Sequence, residues 1–461
     1  MGRAPPLATI SPPSWPAPGP KGSPLWGVLP QVRKDSLAFF VGAARDYGGV
    51  ATLDFGLRRF LLVTAPDGLK HVLHDNAKNY VKGYAIVQPL LGDGLVTSEG
   101  EQWRRQRRLL QPAFHRDRIR GFVRTMTEDA AVMLDRWAGA ARDRVPLDVL
   151  EEAMRATQSI IVKTMFSDGG LGTEAEAERI HAAFTVTLEY FTYLMFRRLR
   201  LPGWVPTPTH RRFRAAVGTL EQVVYRLIAQ RRASGERRDD VLSMLVEARD
   251  EETGEGMSDR QIRDEVMTIF LAGHETTATT LAWAWYQLSL HPEVCRRVEE
   301  EVDQVLQARV PQAEDVPRLT FTRMVVDETL RLYPAAWMFA RTALEEDEVA
   351  GYHVPAGQVL MLSPYVLHRR ADLWPNPEAF DPWRFAPERA LHRHKYAYLP
   401  FSGGQRVCIG NNFALMEATL ILAMAAQRFR LDLVPGRPVR AQPTSTLRPQ
   451  PGVWMAVHPR A

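Results

Sequence analysis

The residues best suited to chemistry lie near the C-terminal end, in Phe401-Ser402-Gly403-Gly404-Gln405-Arg406-Val407-Cys408-Ile409-Gly410. Three glycines let the backbone turn tightly and approach a flat ligand closely. Cys408 sits just ahead of a helix predicted from about Asn411, whose free amides and positive dipole end stabilise a thiolate. Arg406, two residues away, can offer a charge-assisted hydrogen bond to a carboxylate on the same ligand. The competing reading is a buried structural cysteine in a glycine-rich loop.

A second cluster, Ala272-Gly273-His274-Glu275-Thr276-Thr277, falls inside a long helical pattern, where Gly and Thr are poor choices for stability alone. Gly273 removes side-chain bulk, and a threonine hydroxyl can bond back to a carbonyl one turn earlier and loosen the ladder. Together they would open a small groove lined by a hydroxyl and a carboxylate. A glycine at a close helix crossing, with threonines satisfied by their own backbone, explains the same residues without chemistry.

The elements that must position these groups are mostly helices. The longest begins at Ser258, which forms a capping box with Gln261, and its pattern runs to His291-Pro292. At 1.5 Å per residue it spans roughly 50 Å, so its middle must be buried. Ile119, Phe122, Met126, Ala130, Met133 and Trp137 recur at helical spacing and predict one apolar face. Val50–Thr64 reads as one or two strands closed by Ala65-Pro66, and 349–354 and 358–362 as further short strands. One more helix is predicted over 411–428. The fold class is mainly α with a small β part.

The 461 residues, 45% hydrophobic and 24% charged, are those of an ordinary globular protein. Two cysteines, Cys295 and Cys408, argue against a disulfide framework and for a cytoplasmic setting. Cys295 reads as structural. Residues 1–25 form a Pro-rich, extended lead-in, and 26–461 a single domain. No run is apolar for the roughly 20 residues of a membrane span, so no transmembrane anchor is expected. The net charge of +5 comes with no nucleic-acid motif and suits an acidic protein partner at least as well.

With these residues in hand, the sequence resembles the cytochrome P-450 family of haem-thiolate monooxygenases, soluble bacterial type. The signature F-x-x-G-x-R-x-C-x-G is matched by Phe401, Gly404, Arg406, Cys408 and Gly410. A/G-G-x-D/E-T-T is matched by Ala272, Gly273, Glu275, Thr276 and Thr277, E-x-x-R by Glu328 and Arg331, and W-x-x-x-R by Trp103 and Arg107. Cysteine-ligated haem in this family is a standard case of haem ligation. The resemblance implies a helical domain with a long central helix and minor sheets. It also implies haem b ligated through its iron by Cys408, and proton delivery to bound dioxygen by Glu275 and Thr276, with Gly273 making room. Trp103, Arg107, Arg341 and Arg406 become candidates for the haem propionates. Glu328, Arg331 and Arg384 become a buried structural network, although Trp383 stands where the family more often has Glu.

The pocket is expected to be apolar, with Ile269, Phe270, Ala272 and Thr277 facing it, together with Ala336, Trp337, Met338 and Phe339. The aromatic stretch 184–204 is either a substrate lid or ordinary core. The implied reaction is hydroxylation or epoxidation of a lipophilic molecule such as a fatty acid or terpenoid. Electrons would come from a separate ferredoxin or flavodoxin with its NAD(P)H-dependent reductase, and the enzyme would act as a monomer. Arg104, Arg105 and Arg108 are either a solvated helix face or a docking surface for that donor. Rival functions are a family member that rearranges a peroxide or oxime, which the acid–threonine pair argues against, and a haem sensor, which needs no such pair.

Overall fold

Ser258 caps the longest helix as the sequence predicts: its Oγ accepts from the Gln261 amide at 3.3 Å and its amide donates to Gln261 Oε1 at 2.9 Å. The helix runs Asp259–Leu290, and most of its side chains are buried on every side. The structure is a computed structural model and describes residues 17–84, 87–167, 174–196 and 205–460. Residues 1–16 of the lead-in and 197–204 of the aromatic stretch therefore lie outside the described residues. No described helix is long and apolar enough to cross a membrane.

The chain divides into two compact units, and the division falls between Arg406 and Val407, inside the cysteine loop. The first unit comprises 1–83, 338–377 and 394–406. It is built on a five-stranded sheet in the spatial order Val50–Asp54, Arg59–Val63, Val359–Leu362, Phe339–Ala343 and Tyr80–Val81. One pairing, Arg59–Val63 with Val359–Leu362, is parallel and the rest are antiparallel. Val50, Leu61, Val63, Leu360 and Leu362 pack with Leu69, Val72 and Leu73 into its apolar core.

The second unit comprises 84–337, 378–393 and 407–461 and is mainly helical. Val149–Phe166 crosses the central helix, and Asn411–Arg428 follows the cysteine. The apolar face predicted around Met126 and Trp137 is buried, but the chain breaks at Phe122, so Ile119 belongs to the short helix Arg116–Gly121 and the rest to Val123–Asp143. Trp137 meets Trp285 of the central helix edge-on at 5.0 Å, and Trp283 stacks on Tyr333 at 3.9 Å. The strands Arg440–Pro443 and Leu447–Gln450 pair in register Pro443↔Leu447, leaving Thr444–Thr446 as a tight tip.

Candidate active site

The helix Asn411–Arg428 starts directly after Gly410, so its first-turn amides and dipole lie beside Cys408. The Gly410 amide donates to the Cys408 sulfur, and the Arg107 guanidinium favours the thiolate from nearby. Arg107 is held there by a 2.9 Å bond from Nη1 to the Val407 carbonyl, with Trp103 buried one turn earlier on Gly100–Leu110. Burial outweighs both effects and pushes the Cys408 thiol up. Yet the residue is accessible at its surface.

The central helix carries a matching feature. Ala272 is exposed and Gly273 and Thr276 are half-exposed, while Phe270 before them and Thr277 after them are buried. Ala272 and Thr276 lie one turn apart on a single face. The Thr276 hydroxyl donates to the Ala272 carbonyl at 2.9 Å and the Thr280 hydroxyl to Thr276 at 2.9 Å, the backbone competition expected of threonines inside a helix. From the crossing helix, the Thr157 hydroxyl reaches the His274 carbonyl at 3.0 Å. A Cβ on Gly273 would lie 2.9 Å from Ile161 Cδ1, so the space left by this glycine is used by the helix crossing.

Glu275 is buried, and its Oε1 accepts from the Thr446 hydroxyl at 2.9 Å. Burial pushes its carboxyl above the usual range, while the Thr446 bond and the more distant Arg448 charge pull the other way. Thr277 was expected at the pocket wall but is buried. Successive helix side chains diverge by about 100°, so with Thr276 on the open side Thr277 turns inward, toward Glu417 of the helix after the cysteine. Ile269 and Phe270 are also buried; Phe270 stacks on Phe184 at 4.0 Å and lines a small apolar cavity with Ile180, Leu220 and Val266. Ala336 is exposed, whereas Trp337 is buried with its indole donating to the Thr444 carbonyl at 3.0 Å.

The first unit holds the other half of the cysteine loop. Ser402 and Gly404 have φ of +61° and +65°. A Cβ on Gly404 would sit 1.7 Å from the Leu73 carbonyl oxygen, so only glycine fits. Phe401 and Arg406 are half-buried. Arg341 is buried, bonds the Ala340 carbonyl at 2.8 Å and lies 5.2 Å over the ring of Phe339, which like Met338 is half-buried.

Glu328 and Arg331 form a two-pronged pair at 2.7 and 2.8 Å, with both side chains fully buried. Arg331 also donates to the Ala379 carbonyl, Glu328 accepts from the Asp381 amide, and Arg384 approaches Glu328 at 3.4 Å. Trp383 is exposed and rests against Phe321 at 4.9 Å, so the network closes without it. Arg105 and Arg108 are paired internally, with Gly256 and with Asp250 and Glu252, rather than forming a simple solvated face. Cys295 is partly buried and bonds Glu299, its thiol pushed up to about 11, chiefly by burial.

Two residues of this region were not singled out from the sequence. Thr446 gave no signal, because its partner is 171 positions away. Glu417 did give one: it is the lone acid in a helix whose neighbours Leu415, Ala418, Ile421 and Leu422 read as core. Among the described residues neither of its buried carboxyl oxygens has a complete hydrogen bond.

The family profile described as cytochrome P-450 matches residues 17–455. The chain belongs to the cytochrome P-450 family. Relatives include the cyclooctatin synthase of Streptomyces melanosporofaciens, 39% identical over 94% of this chain and 93% of that protein. The pentalenene oxygenase of Streptomyces avermitilis is 33% identical over 88% and 90%. The crystal structure of a cytochrome P-450 haem domain superposes with a TM-score of 0.88 at 29% identity, covering 98% of both chains. Membership makes this protein an oxygen-incorporating oxidoreductase that uses haem, dioxygen and redox partners. The residues present fit that cofactor: an accessible cysteine with an amide and a guanidinium beside its sulfur, and an open stripe on an otherwise buried helix.

Proposed function

We propose that this protein is a monooxygenase for a terpenoid, inserting oxygen into a C–H or C=C bond with electrons from a separate ferredoxin or flavodoxin and its NAD(P)H-dependent reductase. The observation that carries the reading is the accessible stripe Ala272–Gly273–Thr276 within the buried central helix. The substrate class is supported by the two Streptomyces relatives, the cyclooctatin synthase and the pentalenene oxygenase, whose names point to terpenoid chemistry. The family match over 17–455 supports one haem domain from residue 26 to 461.

In this reading Cys408 holds the iron of haem b, with Gly410 and Arg107 offsetting the charge of its thiolate. Trp103, Arg107, Arg341 and Arg406 serve the propionates. When bound, the haem supplies oxygen activation, which thiolate ligation favours. The chain's own contribution is position and protons. Thr276 presents its hydroxyl on the open side, at present lent to the Ala272 carbonyl. Glu275, its carboxyl raised by burial, keeps a transferable proton to higher pH than an exposed glutamate. Thr276 passes its own proton to the reacting site and recovers one from Glu275, which is recharged from water.

The test is spectroscopic. The reduced protein with carbon monoxide should give a strongly red-shifted Soret band that Cys408→Ser abolishes. A panel of cyclic terpenes and fatty acids is then screened for a substrate-induced shift and for NAD(P)H consumption with an added ferredoxin and reductase. Terpenes that shift the band and yield oxygenated products support the proposal. Fatty acids as the sole responders, or turnover with NADPH and no added partner, overturn it.

A further inference from the structure

Glu275 and Thr276 are consecutive, so their side chains leave the helix about 100° apart. Thr276 faces the accessible stripe, while Glu275 is turned away from it, its Oε1 bound to the Thr446 hydroxyl. An acid that reloads Thr276 must therefore be held somewhere and released from there. We infer that Thr446, at the tip of the hairpin Arg440–Gln450, is the residue that positions Glu275 for proton delivery. This inference rests on the proton-relay reading above.

The tip is built to keep that hydroxyl in place. Trp337 Nε1 donates to the Thr444 carbonyl at 3.0 Å, Trp283 Nε1 to the Leu447 carbonyl at 2.8 Å, and the Leu447 amide to the Ala335 carbonyl at 3.0 Å. The Thr446 carbonyl itself accepts from the amide and hydroxyl of Thr444, both at 2.9 Å. Trp283 lies about two turns beyond Glu275 on the same helix and reaches the next residue of the hairpin, Leu447. The central helix thus grips the tip at two points, one structural and one acidic. Because the indoles and the amide already fasten the hairpin, the Thr446–Glu275 bond is spare as an anchor. It is a single hydrogen bond to a buried carboxyl, enough to favour one rotamer and small enough to break in turnover. The balance of the step is simple: the Glu275 O–H gives its proton to Thr276 Oγ1 as the Thr276 proton leaves, and water returns a proton to the Glu275 carboxylate.

The experiment compares haem-loaded parent, Thr446→Val, Thr446→Ser and Glu275→Gln. The first readout is infrared: the C=O stretch of protonated Glu275, identified by its absence in Glu275→Gln. The second is peroxide released per dioxygen consumed, with electrons supplied photochemically so that neither substrate nor redox partner need be known. Thr446→Val should move the C=O band to higher wavenumber and raise the peroxide fraction severalfold, while Thr446→Ser restores both. Thermal stability of Thr446→Val should stay close to the parent, since the indole bonds remain. A Thr446→Val protein with unchanged band and unchanged peroxide fraction overturns the inference. So does one whose band moves while the peroxide fraction stays fixed and Glu275→Gln raises it. If Glu275→Gln itself leaves the peroxide fraction unchanged, the proton-relay reading fails and the inference falls with it.

Discussion

Replacing Glu417 by Gln should change how the protein's stability depends on pH. Glu417 is fully buried on the helix that follows Cys408, and burial pushes its carboxyl from 4.5 up to about 8. The Thr277 hydroxyl offsets part of this, and the Asp129 carboxylate, itself held by Ser159 and Lys163, adds to it. Between pH 4.5 and about 8 the native carboxyl keeps a proton that the unfolded chain has released. Stability must therefore fall as pH rises through that window, by about 1.4 kcal/mol per pH unit, and then level off. The whole loss is on the order of 5 kcal/mol, a large share of a typical domain's stability of roughly 5–15 kcal/mol. Glutamine keeps the shape and cannot ionise, so the variant should lack this component. Urea unfolding of the haem-loaded proteins, followed by circular dichroism from pH 5 to 9, measures the difference; other titrating groups cancel between the two. The variant should gain on the parent steadily up to about pH 8. Parallel curves, or a parent that gains on the variant as pH rises, would refute the reasoning and mean that Glu417 ionises freely.

Arg331→Ala removes one side of a fully buried pair and strands the Glu328 charge, a loss of about 3–5 kcal/mol. The expected result is insoluble or haem-free protein, read from soluble yield and the Soret-to-280 nm ratio. Gly404→Ala would drive a Cβ into the Leu73 carbonyl at a φ of +65°, so the cysteine loop must shift. Haem content should fall sharply, and the red-shifted carbon monoxide band with it. Gly273→Ala meets only the flexible end of Ile161, so it should cost about 1–3 kcal/mol as an overpacked core position, measured by denaturation, with the protein still loaded. Trp283→Phe leaves the Leu447 carbonyl without its indole donor and should cost about 1–3 kcal/mol in the same assay.

What the sequence determined alone is what depends on neighbours along the chain. Ser258 and Gln261 start the central helix, Gly410 yields to the helix at Asn411, and Glu328 and Arg331 pair because i and i+3 share a helix face. The cysteine loop was legible for the same reason, since positive φ at Gly404 and a thiol ahead of a helix start are local conditions. Periodicity also gave the buried face around Met126 and Trp137, but not the break at Phe122, because the apolar pattern runs on unbroken across the turn. Tertiary structure decided what depends on residues far apart. Only packing shows that Gly273 serves Ile161, that Arg105 and Arg108 are spent on the segment around Asp250, and that Thr277 turns toward Glu417. The same holds for Thr446 beside Glu275, where 171 residues separate a hydroxyl from the carboxyl it holds. A hydrogen bond closed over such a distance leaves no periodicity or motif in the chain, because its geometry is set by the helices and hairpin that carry the two groups together.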